Sequence, residues 1–349
     1  MLSAYPPPAP TPPGEAGLPA DGSRLGLTAV IPCYDEADSI HPAYAEIVGE
    51  LSRYDLELLF VDDGSADGTL DRIRELAAAD PRVHYVSFAR NFGFEAAFSA
   101  GYRYAGKPWI VHLDADLQFP PGEVHALVER VQAGYDAVFG VRTNRDDPWY
   151  RRWGAATYHA LGRRALGIEI PAGATTFRIV RSELARRIVD LRLGTPYFLA
   201  TVPRLTNRYT TVPVSHRART RGRSKFRLGR LIAHALELYV AFSRRAIHAA
   251  ALLALLTAIA TAGMAMAAAL GWLTGAAALV TGFAAQSVGL IGLAVIMRYL
   301  VLLADAQARP AMFYVREASF PVNPADHIYG TESHDQAGAV RPLLAGVTP

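Results

Sequence analysis

The sequence predicts an α/β domain with a mainly parallel sheet, followed by an amphipathic helix and a hairpin of two transmembrane helices. In the first half of the 349-residue chain, short apolar runs alternate with amphipathic helical segments. The apolar runs are continuous, as in strands covered by helices on both faces of a sheet. Residues 246–297 contain no Asp, Glu, Lys or Arg, and this length accommodates two spans of about 20 residues each.

Strands and helices alternate in the first part of the chain with short links, which favours a parallel sheet. The predicted strands cover Leu27–Pro32, Leu56–Val61, Val83–Phe88, Trp109–Leu113 and Ala137–Val141. Asp38 or Ser39 is expected to cap the first helix, which continues to about Tyr54. The later helices are predicted at Thr69–Ala79, at Glu95–Tyr104 and at residues 122–133.

Polar clusters follow one predicted strand after another. They are Asp35 with Glu36, Asp62 with Asp63, Arg90 with Asn91, Asp114 with Asp116, and Arg142. The carboxyl ends of parallel strands share one edge of a sheet, and ligands bind at that edge in open α/β folds. One such cluster is typical of a solvated loop, whereas several at the same edge indicate a binding site.

The fourth cluster is the most informative. Asp114, Asp116 and Gln118 alternate directly after an apolar strand, and at this spacing an extended chain projects them to the same side. Two carboxylates and an amide oxygen suit a hard divalent cation whose shell is completed by phosphate oxygens. For an isolated Asp-x-Asp, a polar turn after a core strand is the alternative interpretation.

Composition excludes some classes of function. The formal net charge is +3 and the pI about 9.0, and the sequence has no zinc-ligand spacing or basic heptad region, so we expect no nucleic-acid partner. Cys33 is the single cysteine, which excludes an internal disulfide and is read as a buried structural residue. Residues 143–227 are arginine-rich, which is typical either of solvated surface or of a basic wall facing phosphate or membrane.

We divide the chain into five parts. Residues 1–24 contain seven prolines and no apolar core of a signal peptide, and are predicted to be disordered. The α/β domain covers 25–227, and an amphipathic juxtamembrane helix covers 228–245. The two spans occupy 246–304, and a C-terminal segment, in which Ala311–Glu317 could form a strand or a surface anchor, covers 305–349.

The spans are placed near Ile247–Leu270 and Ala277–Leu300, with a break at residues 271–275. Arginines flank the pair and the connecting loop is uncharged, so the positive-inside rule places both flanks, the α/β domain and both termini in the cytoplasm. Glycines in the spans would allow close helix contact and favour a homo-oligomer. A buried hairpin of a soluble protein is the alternative.

The order of motifs resembles that of the family 2 polyprenyl-phosphate glycosyltransferases with a GT-A fold, such as dolichol-phosphate mannose synthase and the bacterial undecaprenyl-phosphate sugar transferases. The resemblance covers about residues 26–317. The motifs that carry it lie at residues 30–36, 61–69, 89–93, 114–121, 140–142, 177–178 and 224–226. It implies an inverting, metal-dependent transfer of a sugar from a UDP- or GDP-sugar to a polyprenyl phosphate.

The resemblance also implies roles for single residues. The donor nucleotide sugar would be bound by Pro32, Tyr34, Glu36, Asp62, Asp63, Asn91, Asp114 and Ser224. Asp114, Asp116 and Gln118 would hold Mg²⁺ or Mn²⁺. The acceptor phosphate would face Arg142, Arg152 and Arg178, and the catalytic set would be Asp116, Arg142 and Lys225, the last in a loop that closes over the site.

Two departures from the family pattern bear on mechanism. Phe119 stands where the family motif has a third Asp, and Thr175-Thr176 stand where Gly-Asp often precedes Phe-Arg. The second change removes a carboxylate sometimes proposed as a base, which favours a mechanism without a general base.

Two other functions are compatible with parts of the sequence. A processive family 2 polysaccharide synthase would need a Gln-x-x-Arg-Trp motif, but Trp149 precedes Arg152-Trp153 where Gln is required. A non-catalytic membrane-bound nucleotide-binding protein would not need the intact set of Asp114, Asp116 and Gln118.

Overall fold

Eight strands form one sheet in the part of the chain that the structure describes. This computed structural model describes residues 24–142, 171, 173–191, 197–217, 244–271, 276–308 and 311–328. The predictions for the tail 1–23, for Arg152, Ser224 and Lys225, and for nearly all of the amphipathic helix lie outside these residues.

The strands are β1 (Gly26–Cys33), β2 (Asp55–Asp62), β3 (Val83–Phe88), β4 (Trp109–His112), β5 (Ala137–Arg142), β6 (Ala174–Arg181), β7 (Tyr209–Val214) and β8 (Val315–Ala318). Their order in the sheet is β7-β5-β6-β4-β1-β2-β3-β8. Strands β3, β2, β1 and β4 are mutually parallel, and β6 runs antiparallel between β4 and β5. The first five strands therefore all point the same way, and the predicted mostly parallel α/β sheet of the GT-A type is confirmed.

Three further strands, β6, β7 and β8, complete the sheet in addition to the five that were predicted. Strand β7 lies parallel to β5, and β8 pairs antiparallel with β3 at the opposite border. The segment Ala311–Glu317, for which a strand and a surface anchor were both open, thus contributes a strand that begins at Val315.

The helices are α1 (Ala37–Leu51), α2 (Thr69–Ala79), α3 (Phe94–Tyr104), α4 (Val124–Gln132), α5 (Ser182–Asp190), α6 (Phe198–Leu205), α7 (Arg244–Ala269) and α8 (Ala276–Ala308). Short 3₁₀ helices occupy Pro121–Glu123 and Pro324–Asp326.

The predicted cap of α1 is wrong. The helix begins at Ala37, and its N-cap residue, Glu36, makes no side-chain capping bond. The backbone N–H of Ala37 instead donates to Asp67 Oδ2 (3.3 Å), and that of Glu36 donates to Thr69 Oγ1 (2.9 Å). The helix start is thus capped by the loop before α2, a partner about 30 residues away that local sequence rules do not consider.

Apolar side chains fill both faces of the sheet. On one face, Leu27 and Phe60 pack with residues of α1, α2 and α4. On the other, Val86 and Phe98 pack with residues of α3, α5 and α6. Cys33 is 2% exposed in the first of these cores, and burial raises the pKa of its thiol, in agreement with the structural role predicted for it.

Helices α7 and α8 are long and apolar enough to cross a membrane. The candidate spans are Ile247–Ala269 and Val280–Val301, with mean hydropathies of 2.0 and 1.8, close to the predicted positions. The two helices touch where side chains are small, since a Cβ added at Gly292 would lie 2.8 Å from the carbonyl oxygen of Ala250. Most of their leucines, such as Leu256 and Leu293, are exposed.

Candidate active site

The carboxyl ends of the first five strands lie along one edge of the sheet, and polar loops meet there. Asp62, the last residue of β2, is fully buried. Its Oδ1 accepts a hydrogen bond from the N–H of Ser65 (3.1 Å) and its Oδ2 accepts one from Ser87 Oγ (2.7 Å). Both carboxylate oxygens of Asp62 thus bind the chain itself, and its predicted contact with a donor stays a prediction.

Asp63 joins the end of β2 to the loop after β3. Its Oδ1 accepts from the N–H of Phe92 (2.7 Å) and its Oδ2 accepts from the N–H of Gly93 (2.9 Å). Burial raises the pKa of Asp63, although these two N–H groups act in the opposite direction. Asp63 therefore organises residues 89–93, which we call the 89–93 loop.

The turn after Asp63 and the 89–93 loop are in direct contact. Gly64 has a φ of +70°, and a Cβ at this position would lie 2.4 Å from the carbonyl carbon of Arg90. Only glycine fits this combination of left-handed backbone and close approach. A shift of the 89–93 loop therefore displaces the Asp63 turn.

The loop after β1 borders the same edge. Asp35 has a left-handed φ of 53°; its N–H donates to Ser65 Oγ (3.0 Å) and its Oδ1 accepts from the N–H of Ala66 (2.9 Å). The predicted donor-binding residues of this region differ in exposure: Tyr34 and Asn91 are exposed, and Pro32 and Glu36 are half-buried. The structure thus places side chains from three successive loops along one border.

The Asp114–Gln118 motif is a turn and not a continuation of β4. The strand ends at His112, Leu117 has a φ of 48°, and the N–H of Leu117 donates to the carbonyl oxygen of Asp114 (3.0 Å). The extended backbone assumed in the spacing argument is therefore wrong. The polar residues still share the accessible side, because Asp114, Asp116 and Gln118 are half-exposed while Ala115, Leu117 and Phe119 are buried.

The side chains of this turn fit a divalent cation. Gln118 Nε2 donates to Asp116 Oδ2 (2.6 Å), which brings an amide and a carboxylate together. With Asp114 they provide hard oxygen donors of the kind that Mg²⁺ and Mn²⁺ prefer. Within the described ranges, no group of three or more His, Cys, Asp or Glu side chains is placed to hold a metal ion, so the amide would have to complete the set.

His216 belongs to this site and was missed in the sequence. Its Nε2 lies 3.1 Å from Gln118 Oε1, and the N–H of the next residue, Arg217, donates to the carbonyl oxygen of Gln118 (2.8 Å). Burial and the nearby Arg142 lower the pKa of His216, while Asp116 acts in the opposite direction. The signal that could have found it is its position two residues beyond β7, a strand that ends at the same edge as β5.

Phe119 replaces a polar family residue with a core side chain. It is 2% exposed, and its ring stacks on that of Phe177 with centroids 5.0 Å apart. The guanidinium carbon of Arg142 lies 5.5 Å from the centroid of the Phe119 ring, a cation–π arrangement. Arg142 is itself exposed at the end of β5, so the Phe119 ring supports the guanidinium of Arg142 beside the Asp114–Gln118 turn.

Arg178 lies on β6 but does not reach the surface. It is 3% exposed, its Nε donates to Tyr102 Oη (3.0 Å), and its guanidinium carbon lies 4.8 Å from the Phe198 ring centroid. This position indicates a structural role in the core next to β4. The predicted contact of Arg178 with an acceptor phosphate stays a prediction.

A buried carboxyl group lies near this arginine. Burial raises the pKa of Glu95, in the first turn of α3, to about 7, and the charge of Arg178 opposes the shift. Burial and then Arg178 lower the pKa of His112, while the backbone of Thr176 acts in the opposite direction. Behind the Asp114–Gln118 turn, the core thus contains polar groups in which burial disfavours ionisation.

Comparison with known proteins agrees with this arrangement. The family model described as glycosyl transferase family 2 matches residues 28–189, which includes the strand-end edge from β1 to β6. The uncharacterized glycosyltransferase YkcC of Bacillus subtilis (strain 168) is 31% identical over 225 residues, with 64% of this chain and 70% of the relative covered. The chain belongs to glycosyltransferase family 2 and is a glycosyltransferase, as its motifs predicted.

Some relatives have more specific names. The undecaprenyl-phosphate 4-deoxy-4-formamido-L-arabinose transferase of Pseudomonas fluorescens (strain SBW25) is 34% identical over 219 residues, with 61% of this chain and 63% of the relative covered. Among solved structures, the mannosyltransferase PcManGT from Pyrobaculum calidifontis, in complex with GDP-Man and Mn²⁺, is 20% identical with a TM-score of 0.43. That alignment covers 82% of this chain and 76% of the other.

Proposed function

We propose that this glycosyltransferase moves a sugar from a UDP- or GDP-sugar to a polyprenyl phosphate at a membrane crossed by α7 and α8. One observation carries the proposal: the half-exposed Asp114–Gln118 turn and two long, exposed apolar helices occur in the same chain. A soluble acceptor would give these helices no role, whereas a lipid acceptor must be reached at a bilayer. The name of the Pseudomonas relative supports undecaprenyl phosphate as the acceptor.

The donor would lie along the border formed by the loops after β1, β2 and β3. Exposed Tyr34 and Asn91 are suited to contact base and ribose, with Pro32, Glu36 and Asp63 behind them. Ser224, outside the described residues, is proposed to contact the donor from the closing loop. This placement brings the diphosphate towards the Asp114–Gln118 turn.

Asp114, Asp116 and Gln118 would hold Mg²⁺ or Mn²⁺ against the diphosphate. When bound, the cation neutralises charge that develops on the leaving group. Other residues of the chain hold these oxygen ligands in position. His216 fixes the amide of Gln118, and the backbone bond from Arg217 to Gln118 fixes its main chain.

The acceptor provides its own nucleophile. A phosphate monoester has a second pKa of about 6, so it is mostly a dianion at neutral pH. One of its oxygens forms a bond to the anomeric carbon while the bond from that carbon to the diphosphate breaks, and the in-line attack inverts the configuration. No proton must be removed, in agreement with Thr175 and Thr176 where a carboxylate is often found. Arg142, with Arg152 and Lys225, would hold the phosphate close.

The membrane arrangement follows from the same proposal. Arg244, Arg245 and Arg298 lie towards the ends of α7 and α8 that lead to the glycosyltransferase domain. Positive flanks favour the cytoplasmic side, where nucleotide sugars are available. The described domain would therefore face the cytoplasm.

A screen tests the function. Purified full-length protein is incubated with radiolabelled UDP- and GDP-sugars, Mg²⁺ or Mn²⁺, and undecaprenyl or shorter polyprenyl phosphates in detergent. We expect one pair to give an organic-soluble product that is labile to mild acid, and Asp116→Ala to abolish its formation. Wild-type activity in the absence of any lipid phosphate, or full activity of Asp116→Ala in metal-replete buffer, would contradict the proposal.

A further inference from the structure

The segment that follows the apolar hairpin returns to the glycosyltransferase domain. It packs beside the border formed by the loops after β1, β2 and β3, which we call the donor border. We call residues 311–328 the post-hairpin segment. Its strand β8 pairs with β3 through Val86 with Ala318 and Ser87 with Glu317. Without β8, the outer edge of β3 would expose unpaired backbone groups in the described structure.

Two groups of hydrogen bonds, both at a distance from the donor border, fix this segment to the domain. Asp326 is 6% exposed and accepts hydrogen bonds from Arg103 Nη1 (2.5 Å) and Tyr104 Oη (2.5 Å) on α3. Glu317 accepts from Tyr85 Oη (2.6 Å) and from Arg74 Nε (3.0 Å). The Asp326 carboxylate is buried, whereas the Glu317–Arg74 pair is partly exposed; charge-assisted hydrogen bonds of this kind favour a single docked position.

The beginning of the segment reaches the 89–93 loop itself. The N–H of Ala89 donates to the carbonyl oxygen of Tyr314 (2.9 Å), and the Tyr314 ring lies 6.1 Å from that of Phe92. Phe313 is 3% exposed and stacks on Phe88, the last residue of β3, with centroids 5.0 Å apart. The 89–93 loop is thus supported on its outer side by residues that follow the membrane hairpin.

A second line of contacts leads from the segment to Asp62. Arg316 Nη2 donates to Ser87 Oγ (3.3 Å), and Ser87 Oγ donates to Asp62 Oδ2 (2.7 Å). Asp62 in turn accepts from the N–H of Ser65 in the turn after β2. The post-hairpin segment therefore contacts the 89–93 loop directly and is linked to the turn after β2 through Ser87 and Asp62.

We propose that Tyr314 and Arg316 are positioning residues for nucleotide binding. They act by holding the 89–93 loop and the turn that begins at Asp63 in fixed positions relative to each other. This inference rests on the proposed function, since it takes the bound ligand to be a nucleoside diphosphate. The close contact of Gly64 with Arg90 provides the coupling, because neither loop can move without the other. The donor border is thereby linked to the chain that emerges from α8.

The chain offers a matched control in the same segment. Phe320 packs on His84 and Tyr104, with centroids 6.0 and 5.6 Å away, and makes none of the contacts to the 89–93 loop described above. Tyr314→Leu and Phe320→Leu each remove one aromatic ring from the post-hairpin segment. Only the first removes a ring that faces the 89–93 loop.

The experiment makes three measurements on the full-length protein. Calorimetry in the presence of Mn²⁺ gives the affinity for UDP and GDP, steady-state kinetics gives KM for the donor and kcat, and hydrogen exchange reports on residues 89–93. We expect Tyr314→Leu and Arg316→Gln to weaken nucleotide binding and raise the donor KM about tenfold with kcat within about twofold. Exchange at Ala89 should accelerate in Tyr314→Leu. Phe320→Leu should leave affinity and exchange unchanged even where it lowers Tm.

Two results would overturn the inference. One is unchanged nucleotide affinity in Tyr314→Leu and Arg316→Gln; the other is an equal loss in Phe320→Leu, which would indicate general destabilisation. Failure of the proposed function is distinguishable, because wild-type protein would then bind a nucleotide without transferring sugar to a polyprenyl phosphate, or would bind neither UDP nor GDP. In both cases hydrogen exchange would still report whether Tyr314 holds the loop.

Discussion

Single residues decide the chemistry at the edge of the sheet, and His216 shows how. It follows strand β7, about 100 residues after the Asp114–Gln118 turn, yet it contacts the amide of Gln118. A histidine in this position fixes which atom of the amide faces the neighbouring carboxylates. Residues that orient metal ligands typically contribute tenfold or more to metal affinity.

We therefore expect His216→Ala to weaken Mn²⁺ binding by about tenfold, because the Gln118 amide loses its orientation. Electron paramagnetic resonance of free Mn²⁺ in titrations of the full-length protein measures this directly. His41→Ala, an exposed histidine on α1, is the control and should bind as wild type. Unchanged Mn²⁺ affinity in His216→Ala would show that His216 does not orient the site.

Glu95 predicts a pH dependence of stability. Its pKa is raised from 4.5 to about 7 in the folded protein, so the folded state keeps a proton that the unfolded chain releases. The resulting stabilisation is complete below the unfolded pKa and is lost as the pH rises through about 7. A difference of this size corresponds to at most about 3 kcal/mol.

Glu95→Gln should remove this dependence. Between pH 5 and pH 8, the free energy of unfolding should fall less in Glu95→Gln than in wild type, by roughly 1–3 kcal/mol. Thermal or urea unfolding of the detergent-solubilised protein, followed by near-UV circular dichroism, gives the comparison. Glu129→Gln, at an exposed position on α4, should keep the wild-type slope; parallel slopes for Glu95→Gln would refute the assignment.

Among the elements, the turn after β2 and the loop after β3 form one unit. Their contact depends on Gly64, where the backbone is left-handed and the space for a Cβ is taken by Arg90. A side chain there must displace main chain and not merely a flexible neighbour. The unit therefore tolerates little change at this position.

Gly64→Ala should lower the free energy of unfolding by about 2–4 kcal/mol and weaken nucleotide binding, because it adds both backbone strain and overlap. Denaturant unfolding and calorimetry with UDP or GDP measure the two effects. Gly49→Ala provides the comparison, since nothing lies within 4 Å of a Cβ at this position on α1. That variant should be stabilised by about 0.5–1 kcal/mol, and a neutral Gly64→Ala would contradict the argument.

At the scale of the whole molecule, the post-hairpin segment connects the two apolar helices to strand β3 and the 89–93 loop. The exposed side chains of α7 and α8 are mostly aliphatic, and only 6% of each candidate span is buried. Surface of this kind is stable in lipid and costly in water. Membrane insertion of the hairpin is the resulting prediction.

Full-length protein expressed in bacteria should remain in the membrane fraction after extraction with alkaline carbonate. The double variant Leu256→Arg/Leu293→Arg should leave that fraction, because each arginine at a span centre costs about 2.5–3.5 kcal/mol on insertion. Leu191→Arg, which changes an exposed leucine of the sheet domain, should stay with the membrane. Extraction of the wild-type chain by carbonate alone would argue against insertion.

Much of the architecture could be predicted from local pattern. Continuous apolar runs locate β1 to β5 within one or two residues, since burial on both faces demands apolar character at every position. Strands β6 and β7 were not predicted, and β8 was left open. The last four residues of β7, at the border of the sheet, alternate between exposed and buried, and β6, although it lies inside the sheet, begins with three half-buried residues. Their pairing is set by partners far away in the chain, which no local window contains.

The candidate site divides in the same way. The sequence by itself determined the family, the strand-end clusters and the oxygen donors of the Asp114–Gln118 turn, because these depend on residue type and order. The tertiary structure alone decided that Asp62 and Arg178 are buried, that His216 contacts Gln118, that Tyr314 contacts Ala89 and that Arg316 contacts Ser87. The physical reason is that burial and contact between distant segments arise only when helices and strands pack, and a linear pattern does not specify that packing.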